Sequence, residues 1–403
     1  MKQSLAAPVG IALFLLSLGG VLCAQQPPQL PPNYPKALYD ESLVPKYTLP
    51  DPLVMLNGQR VKDAKTWREK RRPEILKLFA THVYGRTMAG RPKEMTWEVT
   101  AEDRQAMEGK AITKTVKLYF AGKPDGPSME LSMTLPNTRK AAPIFLIAGG
   151  GRVNQLVLDR GYGMVGCRIT QIQADRGDAY ASSIRAHFAP PGQTEPGVEE
   201  WGALGAWAWG MSRAMDYIET DKDIDSKKVA LNGVSRYGKA VMWAGAQDER
   251  FAMTFSGEAG CGGQVIVRRG FGETIKSITT RYGYWFAKKL VDYADNVNGL
   301  PVDWHELVAL HAPRPVYIAT AERDYWGDPR GSFLAAKHAG AVYKLFGKVG
   351  VGVEDMPPVE TPVGNVIGYH NRTGTHGQNN YDWEQYLNFA DRHFGVVRAA
   401  AQK

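Results

Sequence analysis

The sequence predicts an α/β fold in which a mostly parallel sheet is covered by helices on both faces. Short apolar runs that suit buried strands alternate with helix-like segments in the second half of the chain, as in right-handed crossovers between parallel strands. One strand-to-helix junction carries a serine between glycines. A chain of 403 residues, 44% of them hydrophobic and 22% charged, is long enough for one enlarged domain of this kind.

The N-terminal segment is predicted to lie outside that domain. Residues 1–24 carry a lysine at position 2, continue as an apolar run and end at Ala24, which is the layout of a cleaved secretory signal peptide. The run is too short for a membrane span. A lipoprotein anchor at Cys23 is the less favoured alternative, because Leu22 is larger than the residue such processing prefers. We expect a secreted or periplasmic protein without stable membrane insertion after cleavage.

The next segments introduce the domain. Residues 25–52 are rich in proline and predict an extended N-terminal arm, and residues 53–398 are predicted to form a single catalytic domain. A helix is expected at 67–79, although Pro73 interrupts it. Alternating runs at 113–120 and 129–135 predict an antiparallel hairpin.

The remaining elements follow in alternation. Strands are predicted at 143–148, 163–169, 229–231, 251–255, 314–320, 342–346 and 367–371, and helices at 201–218, 305–311, 333–338 and 381–393. A long loop near the site is expected at 175–197, and an insertion at 264–299. The glycines at 149–151 stand where a hydrolase sets its second oxyanion-hole amide, or they form only a turn.

The turn around Ser235 carries the strongest chemical signal. Ser235 lies between Gly233 and Gly238, with an apolar helix after it. A nucleophilic serine needs small neighbours, because its strained turn leaves little room for a Cβ atom. The second glycine comes one position later than in the common Gly-x-Ser-x-Gly pattern. Ser235 is predicted to be a nucleophile, and the alternative is a serine that only caps the helix.

Several long motifs identify a family. They are Ser-Arg-x-Gly-Lys at 235–239 with AGAQDERF after it, Gly-Glu-Ala-Gly-Cys-Gly-Gly at 257–263, LPVDWHELVALHAPRPVYIATAERDYWGDPRG, and GYHNRTGTHGQNNYDWEQYLNFADRHF. Together they resemble the glucuronoyl esterases over residues 140–395. The resemblance implies the α/β-hydrolase fold, a three-layer sandwich with a mostly parallel central sheet and an N-terminal antiparallel hairpin. It also implies a serine esterase that needs no metal or cofactor.

A serine nucleophile needs a base and an orienting acid, which this fold supplies in the order serine, acid, histidine. His376 lies in a loop between the last strand and the closing helix, where the fold delivers its histidine. The other candidates are expected to be structural: His370 in a strand, and His305, His311, His338 and His393 on helices.

Two carboxylates compete for the acid's place. Asp324 follows the strand at 314–320, and Glu258 follows the strand before it. The resemblance implies an acid at one position or the other, and this sequence has both. We keep both, because two acids can share the orientation of one imidazole, and rank Glu258 slightly first for its glycine-rich context. The alternative for either is a structural pairing with an arginine.

Four further residues are assigned from their context. Arg236 follows the nucleophile, so its amide and its charge are expected to stabilise an oxyanion, or its side chain forms a salt bridge with a loop acid. Lys239 lies one turn later, where an ammonium could meet a sugar hydroxyl. The resemblance implies that Trp326 lies beside the sugar and that Glu273 accepts a hydroxyl. Core packing and a solvated glutamate are the respective alternatives for these two.

Charge and cysteine content limit the partners. The net charge of +8 comes from scattered basic residues, so nucleic acid is not expected, whereas an acidic polysaccharide suits the sign. Cys167 and Cys261 predict either one disulfide or two buried thiols. No zinc-binding spacing is present.

The sequence thus predicts a secreted serine esterase for esters of 4-O-methyl-glucuronic acid, as in glucuronoxylan and lignin-carbohydrate linkages. One alternative is another carbohydrate esterase, such as an acetyl xylan esterase. The second is a non-catalytic polysaccharide-binding protein on the same fold. A broken triad would mark the second alternative, whereas this sequence retains the serine, the histidine and both acids.

Overall fold

The computed structural model describes residues 35–396 except 88, 89, 139 and 152, together with the single residues 1 and 32. The predicted signal peptide, Cys23 and the start of the arm therefore lie outside the described residues, apart from those two positions. From Pro35 onwards the chain forms one compact unit, which includes the second half of the predicted arm. Every helix in the described ranges is too short or too polar to cross a membrane.

The central element is a sheet with strand order β1-β2-β3-β5-β4-β6-β7-β8-β9. Neighbouring strands from β1 to β5 along this order pair antiparallel, and those from β5 to β9 pair parallel. The strands are β1 (Thr96–Ala106), β2 (Ala111–Tyr119), β3 (Ser128–Pro136), β4 (Ala142–Ala148), β5 (Gly163–Cys167), β6 (Ile224–Val234), β7 (Met253–Gly257), β8 (Val316–Ala321) and β9 (Ile367–Arg372). The predicted parallel sheet and N-terminal hairpin, β2 and β3, are confirmed.

Helices cover both faces of this sheet. They are α1 (Ala64–Thr66), α2 (Arg72–His82), α3 (Gln155–Asp159), α4 (Ile184–His187), α5 (Ala203–Ile218), α6 (Arg236–Gln247), α7 (Ile275–Tyr282), α8 (Trp304–Ala309), α9 (Pro329–Lys344) and α10 (Asn380–Phe394). A π-helical segment joins α1 to α2 at Trp67–Arg71. Short 3₁₀ turns occupy Glu41–Leu43, Ile169–Gln171, Val267–Arg269, Gly283–Trp285, Lys288–Tyr293, Val297–Gly299 and Tyr325–Gly327.

Alternate strand residues supply the two cores. On β4, Ile144 and Leu146 belong to the core that also contains side chains of α5, α6, α8 and α9, while Phe145 on the other face belongs to the core with side chains of α3 and α10. The period of two places successive side chains on opposite faces, so a strand that is apolar throughout is buried on both. This arrangement is the three-layer sandwich of the α/β-hydrolase fold.

Two secondary-structure expectations need correction. The strand predicted at 342–346 is wrong, because Val342 and Tyr343 lie in the last turn of α9 with their apolar side chains buried. Strand β1 was not predicted, because it is exposed or half-buried along its whole length and lacks an apolar face. At Pro73 the α-helical pattern is interrupted as expected, by the π-helical segment Trp67–Arg71 directly before α2, but the chain stays helical on both sides of the proline.

The two cysteines of the described domain form no disulfide. Cys167 and Cys261 are both free and buried, so the second of the two sequence alternatives holds. Burial raises the pKa of both thiols above the ordinary value, which keeps them protonated and unreactive.

Candidate active site

Four adjacent parallel strands bring the predicted catalytic residues to one edge of the sheet. Ser235 directly follows β6 and Glu258 directly follows β7, while Asp324 and His376 lie in the loops after β8 and β9. Since parallel strands end at the same edge, residues far apart in sequence converge there, as in other open α/β sheets.

Ser235 has the backbone of a strained elbow. Its φ is 59° and its ψ is −128°, a conformation that costs a non-glycine residue about 1–3 kcal/mol. Its amide is held by the carbonyl of Gly257 at 2.8 Å. Although Ser235 stands at the N-cap of α6, its hydroxyl makes no capping hydrogen bond, so the helix-capping alternative lacks support. The hydroxyl is left for other chemistry.

The shifted second glycine has a steric explanation. A Cβ atom at Gly233 would lie 2.4 Å from the carbonyl oxygen of Tyr237, so this position must be glycine. Tyr237 occupies the place of the usual second glycine, and its ring packs where a Cβ atom on Gly149 would come within 2.5 Å of it. Gly149 has a φ of 84°. The glycines at 149–151 therefore lie beside the elbow, and Gly149 is also needed to make room for the tyrosine.

His376 is bound to one acid and lies near the second. Its Nδ1 is 2.9 Å from Asp324 Oδ2 and 3.6 Å from Glu258 Oε2. The hydrogen bond to Asp324, more than any other contact, raises the pKa of His376. The distances place Asp324 ahead of Glu258, the reverse of the order suggested by the sequence.

Glu258 is buried and bound on both oxygens. Oε1 accepts from Arg372 Nη2 at 2.7 Å, and Oε2 accepts from the amide of Gly377. Burial raises the pKa of Glu258 to about 8, while the Gly377 amide, the imidazole of His376 and the guanidinium of Arg372 act in the opposite direction.

The same three side chains also meet the geometric requirement for a cation site. Ligand atoms of Glu258, Asp324 and His376 lie within 4.8 Å of one another. Among the described residues, no other group of three or more histidine, cysteine or acidic side chains comes this close together. The guanidinium of Arg372 already supplies positive charge to Glu258. Hydrogen bonding around the imidazole therefore fits these residues better than coordination of a metal.

Arg236 is held by a loop acid that the sequence did not single out. Its Nη1 donates to Asp175 Oδ2, and its guanidinium lies 5.7 Å from the ring centre of Trp285. Asp175 Oδ1 also accepts from Tyr284 Oη at 2.8 Å and from Trp285 Nε1 at 2.7 Å. The salt-bridge alternative is therefore present, and it fixes the guanidinium one residue from Ser235.

Lys239, Glu273 and Trp326 form one hydrogen-bonded group. Lys239 is buried and donates to the carbonyls of Ala259 at 2.5 Å and Cys261 at 2.6 Å, and to Glu273 Oε2 at 3.1 Å. Trp326 Nε1 donates to Glu273 Oε1 at 3.1 Å.

An ammonium group has three donors, and each donor of Lys239 already has a partner. The sugar contact expected for Lys239 is thus not what its geometry favours. Each oxygen of Glu273, by contrast, retains a lone pair for a further donor.

Comparisons with known proteins show which sequences and structures this chain resembles. Residues 123–347 match the family model described as glucuronyl esterase, fungi. The carbohydrate esterase MZ0003 of an unknown prokaryotic organism is 40% identical over 88% of this chain and 91% of its own length. The 4-O-methyl-glucuronoyl methylesterase of Hypocrea jecorina is 30% identical over 72% of this chain and 61% of its own length. A solved glucuronoyl esterase from Solibacter usitatus superimposes with a TM-score of 0.85 at 42% identity, covering 88% of this chain and all (100%) of that one.

Proposed function

The chain belongs to the glucuronoyl esterase family and is a carboxylic ester hydrolase, and on that premise we propose that Ser235, His376 and two carboxylates cleave esters of 4-O-methyl-glucuronic acid. The observation that carries the proposal is the backbone of Ser235, with its φ of 59° at the sheet edge to which His376 is also delivered. Strain of this kind persists where the surrounding structure enforces it, and it is typical of an exposed nucleophile.

The proposed reaction has two steps. Ser235 Oγ attacks the uronate carbonyl, and its proton moves to His376 Nε2, since Nδ1 is already bonded to Asp324. His376 then gives that proton to the leaving alcohol, and an acyl-enzyme remains. Water, deprotonated by the same imidazole, releases the uronic acid and restores the serine.

Positive charge beside the elbow supports this assignment. The amide of Arg236 opens α6, so the helix N-terminus and the fixed guanidinium both face charge that develops on the carbonyl oxygen. Gly149 packs against Tyr237, and its own amide is bound to the carbonyl of Cys167 at 3.0 Å, so a second amide is expected from Gly150 or Gly151. The oxyanion is therefore expected to be bound by backbone amides from two segments.

The sugar is assigned to the group formed by Glu273, Trp326 and Lys239. Glu273 accepts a sugar hydroxyl, Trp326 offers the ring a flat apolar wall, and Lys239 holds Glu273 in place. Esterification makes the uronate neutral, so the site needs polar partners for hydroxyls more than a counter-ion for a carboxylate. Fixed polar partners discriminate between substrates better than an apolar pocket does.

The test is hydrolysis of benzyl glucuronate by the wild type and by Ser235→Ala. We expect the variant to lose on the order of 10⁴-fold or more in kcat at unchanged stability, because alanine fits the elbow. Ser256→Ala is the matched control, since this serine lies on the neighbouring strand β7 and its hydroxyl binds Gln264 at 2.6 Å. Near-wild-type activity in Ser235→Ala would remove the nucleophile assignment.

A broader carbohydrate esterase is the second candidate, and the name of the 40% identical relative favours it. In that case the sugar would supply the alcohol and the acyl group would be small, as in acetylated xylan. Parallel assays on methyl glucuronate, methyl galacturonate, acetylated xylan and p-nitrophenyl acetate separate the two candidates. A preference for the acetyl esters would move the chain to the broader class.

We further propose export and a polymeric substrate. The layout of residues 1–24 supports cleavage after a secretory signal, and glucuronoxylan with lignin-carbohydrate esters is an extracellular material. N-terminal sequencing of protein recovered outside the cytoplasm tests export. Release of lignin-bound glucuronoxylan by the wild type, and not by Ser235→Ala, tests the substrate.

A further inference from the structure

One buried arginine contacts the backbone of the histidine loop, residues 373–377, on both sides of His376. Arg372 is the last residue of β9, and its side chain is 5% exposed. Its Nη1 donates to the carbonyl of Thr373 at 3.0 Å, while Nη2 donates to the carbonyls of Thr375, at 3.0 Å, and Gly377. The carbonyls of Thr375 and Gly377 belong to the residues directly before and after His376.

The same guanidinium joins two acids. Nη2 also lies 2.7 Å from Glu258 Oε1, so its two N–H groups are shared among three acceptors, and Nε donates to Asp382 Oδ2 at 2.9 Å. Asp382 is fixed in turn, because its oxygens also bind His370 at 2.9 Å and the amide of Asn379 at 2.8 Å. The arginine is therefore anchored to the start of α10 on one side and presents its fork to the loop on the other.

The histidine loop needs such a support. Residues 373–377 form neither helix nor strand, and Gly374 and Gly377 have φ values of 114° and 138°. Ordering flexible backbone costs conformational entropy, so a loop of this composition keeps one conformation only if its polar groups are bound. Within the described residues, Arg372 provides three carbonyl contacts to this loop.

We propose that Arg372 is a positioning residue for catalysis: its guanidinium holds the loop that carries His376 and, through Glu258, the amide of Gly377 in a single arrangement. The inference rests on the proposed function, because it assumes that His376 is the base. Arg372 touches no substrate in this scheme. An arginine is needed because a planar fork serves several acceptors at once and stays charged, which an ammonium cannot match.

A positioning role has a kinetic signature. A displacement of the imidazole by about 1 Å lowers the rate of the chemical step by roughly 100-fold and leaves the contacts with the sugar unchanged. Loss of Arg372 should therefore reduce kcat and leave KM nearly unchanged. Inactivation by phenylmethylsulfonyl fluoride should slow in parallel, because that reaction uses the serine and histidine and requires no sugar.

The experiment compares Arg372→Met with Arg314→Met as the matched control. Arg314 also donates to three backbone carbonyls, those of Gly245, Asp248 and Phe251, but it precedes β8 at the opposite edge of the sheet. We expect kcat on benzyl glucuronate to fall about 100-fold in Arg372→Met, with KM within about threefold. We expect Arg314→Met to lower the melting temperature and leave kcat close to that of the wild type.

Two further variants keep the test decisive. Arg372→Met with Glu258→Gln carries no unpaired carboxylate at position 258, and its kcat should be within about threefold of Arg372→Met alone, since the two groups act as one unit. Arg372→Lys retains the charge and should lose about tenfold in kcat with its melting temperature preserved. If these soluble variants lose no more kcat than the Arg314 control, the proposal is overturned.

The same holds if Glu258→Gln alone loses as much as Arg372→Met, because Arg372 would then act only as the counter-ion of Glu258. Failure of the proposed function would look different. The wild type itself would not hydrolyse uronate esters, yet the sulfonyl fluoride rates would still report on the serine and histidine.

Discussion

Two histidine-carboxylate pairs lie six residues apart and differ in what surrounds them. His370 binds Asp382 at 2.9 Å, and His376 binds Asp324 at the same distance, 2.9 Å. The side chain of His370 is completely buried (0% exposed), and that of His376 is 46% exposed. The hydrogen bond between imidazole and acid therefore does not distinguish a structural pair from a catalytic one.

The second ring nitrogen makes the difference. In His370 it binds Tyr317 Oη at 3.0 Å, so both nitrogens are occupied. In His376 no hydrogen bond joins Nε2 to another residue of the described domain, and this nitrogen can exchange a proton with a substrate. A base needs one nitrogen fixed and the other open.

Removing each histidine in turn tests most directly whether the two pairs have different roles. We expect His376→Ala to lose on the order of 10⁴-fold in kcat with an unchanged melting temperature. His370→Ala should instead lose about 2–4 kcal/mol of unfolding free energy, because it leaves the buried polar groups of Asp382 and Tyr317 without a partner. Urea denaturation and hydrolysis of benzyl glucuronate measure the two effects, and similar profiles for both variants would contradict the distinction.

The acids around His376 give the next largest effect. We expect Asp324→Ala to lower kcat by roughly 10³–10⁴-fold and Glu258→Ala by a smaller factor, because only Asp324 is within hydrogen-bond distance. If both acids orient one imidazole, the double variant loses less than the product of the single losses. Full activity in both single variants and in the double variant would exclude both acids from the triad.

The pH dependence provides a finer comparison. The base must be neutral to accept a proton, so activity falls as pH drops through the pKa of His376, which the bond to Asp324 raises. Asp324→Asn removes the negative charge, so the acidic limb of the kcat/KM profile should move to lower pH. Glu258→Gln, which removes a charge that lies farther away, should move the limb less. A limb that stays in place in Asp324→Asn would separate His376 from the observed titration.

The smallest effect is expected at the sugar side. Trp326→Ala should raise KM for benzyl glucuronate about tenfold, or about 1.4 kcal/mol, with little change in kcat if the ring binds ground and transition states alike. Trp326→Phe is the control, since it keeps an apolar wall and removes the Nε1 bond to Glu273. An unchanged KM in the alanine variant would remove the tryptophan from the site.

The strands that could be predicted from the sequence are those buried on both faces of the sheet. Strands β4 and β8 are buried on both faces, as is β6 from Val229 to Gly233, and the turn at Ser235 has glycines where a side chain would collide. Strand β1 has no such pattern because it is exposed. The end of α9 reads like a strand, because its last turn contributes adjacent buried residues.

Site residues that follow a strand in a recognisable motif could be predicted from the sequence. The residues that hold them in place by hydrogen bonds could not. Ser235, Glu258, Asp324 and His376 were selected, and the structure brings them to one edge. Asp175 and Arg372 were not selected. Asp175 meets Arg236, and Arg372 meets Glu258, across long stretches of sequence. The contacts of Arg372 with the carbonyls of its own loop are local, but they depend on a loop conformation that no sequence pattern records.

The two buried thiols can be used to measure local opening of the folded domain. Cys167 is 0% exposed and Cys261 is 1% exposed, and neither is cross-linked, so reducing agents remove no covalent support from the domain. Cys167 lies at the end of β5, and Cys261 lies in the glycine-rich segment after Glu258. A buried thiol reacts only when the structure around it opens. The rate at which an alkylating reagent labels Cys167 therefore reports local opening of the sheet, and the rate for Cys261 reports local opening of the loops around the site.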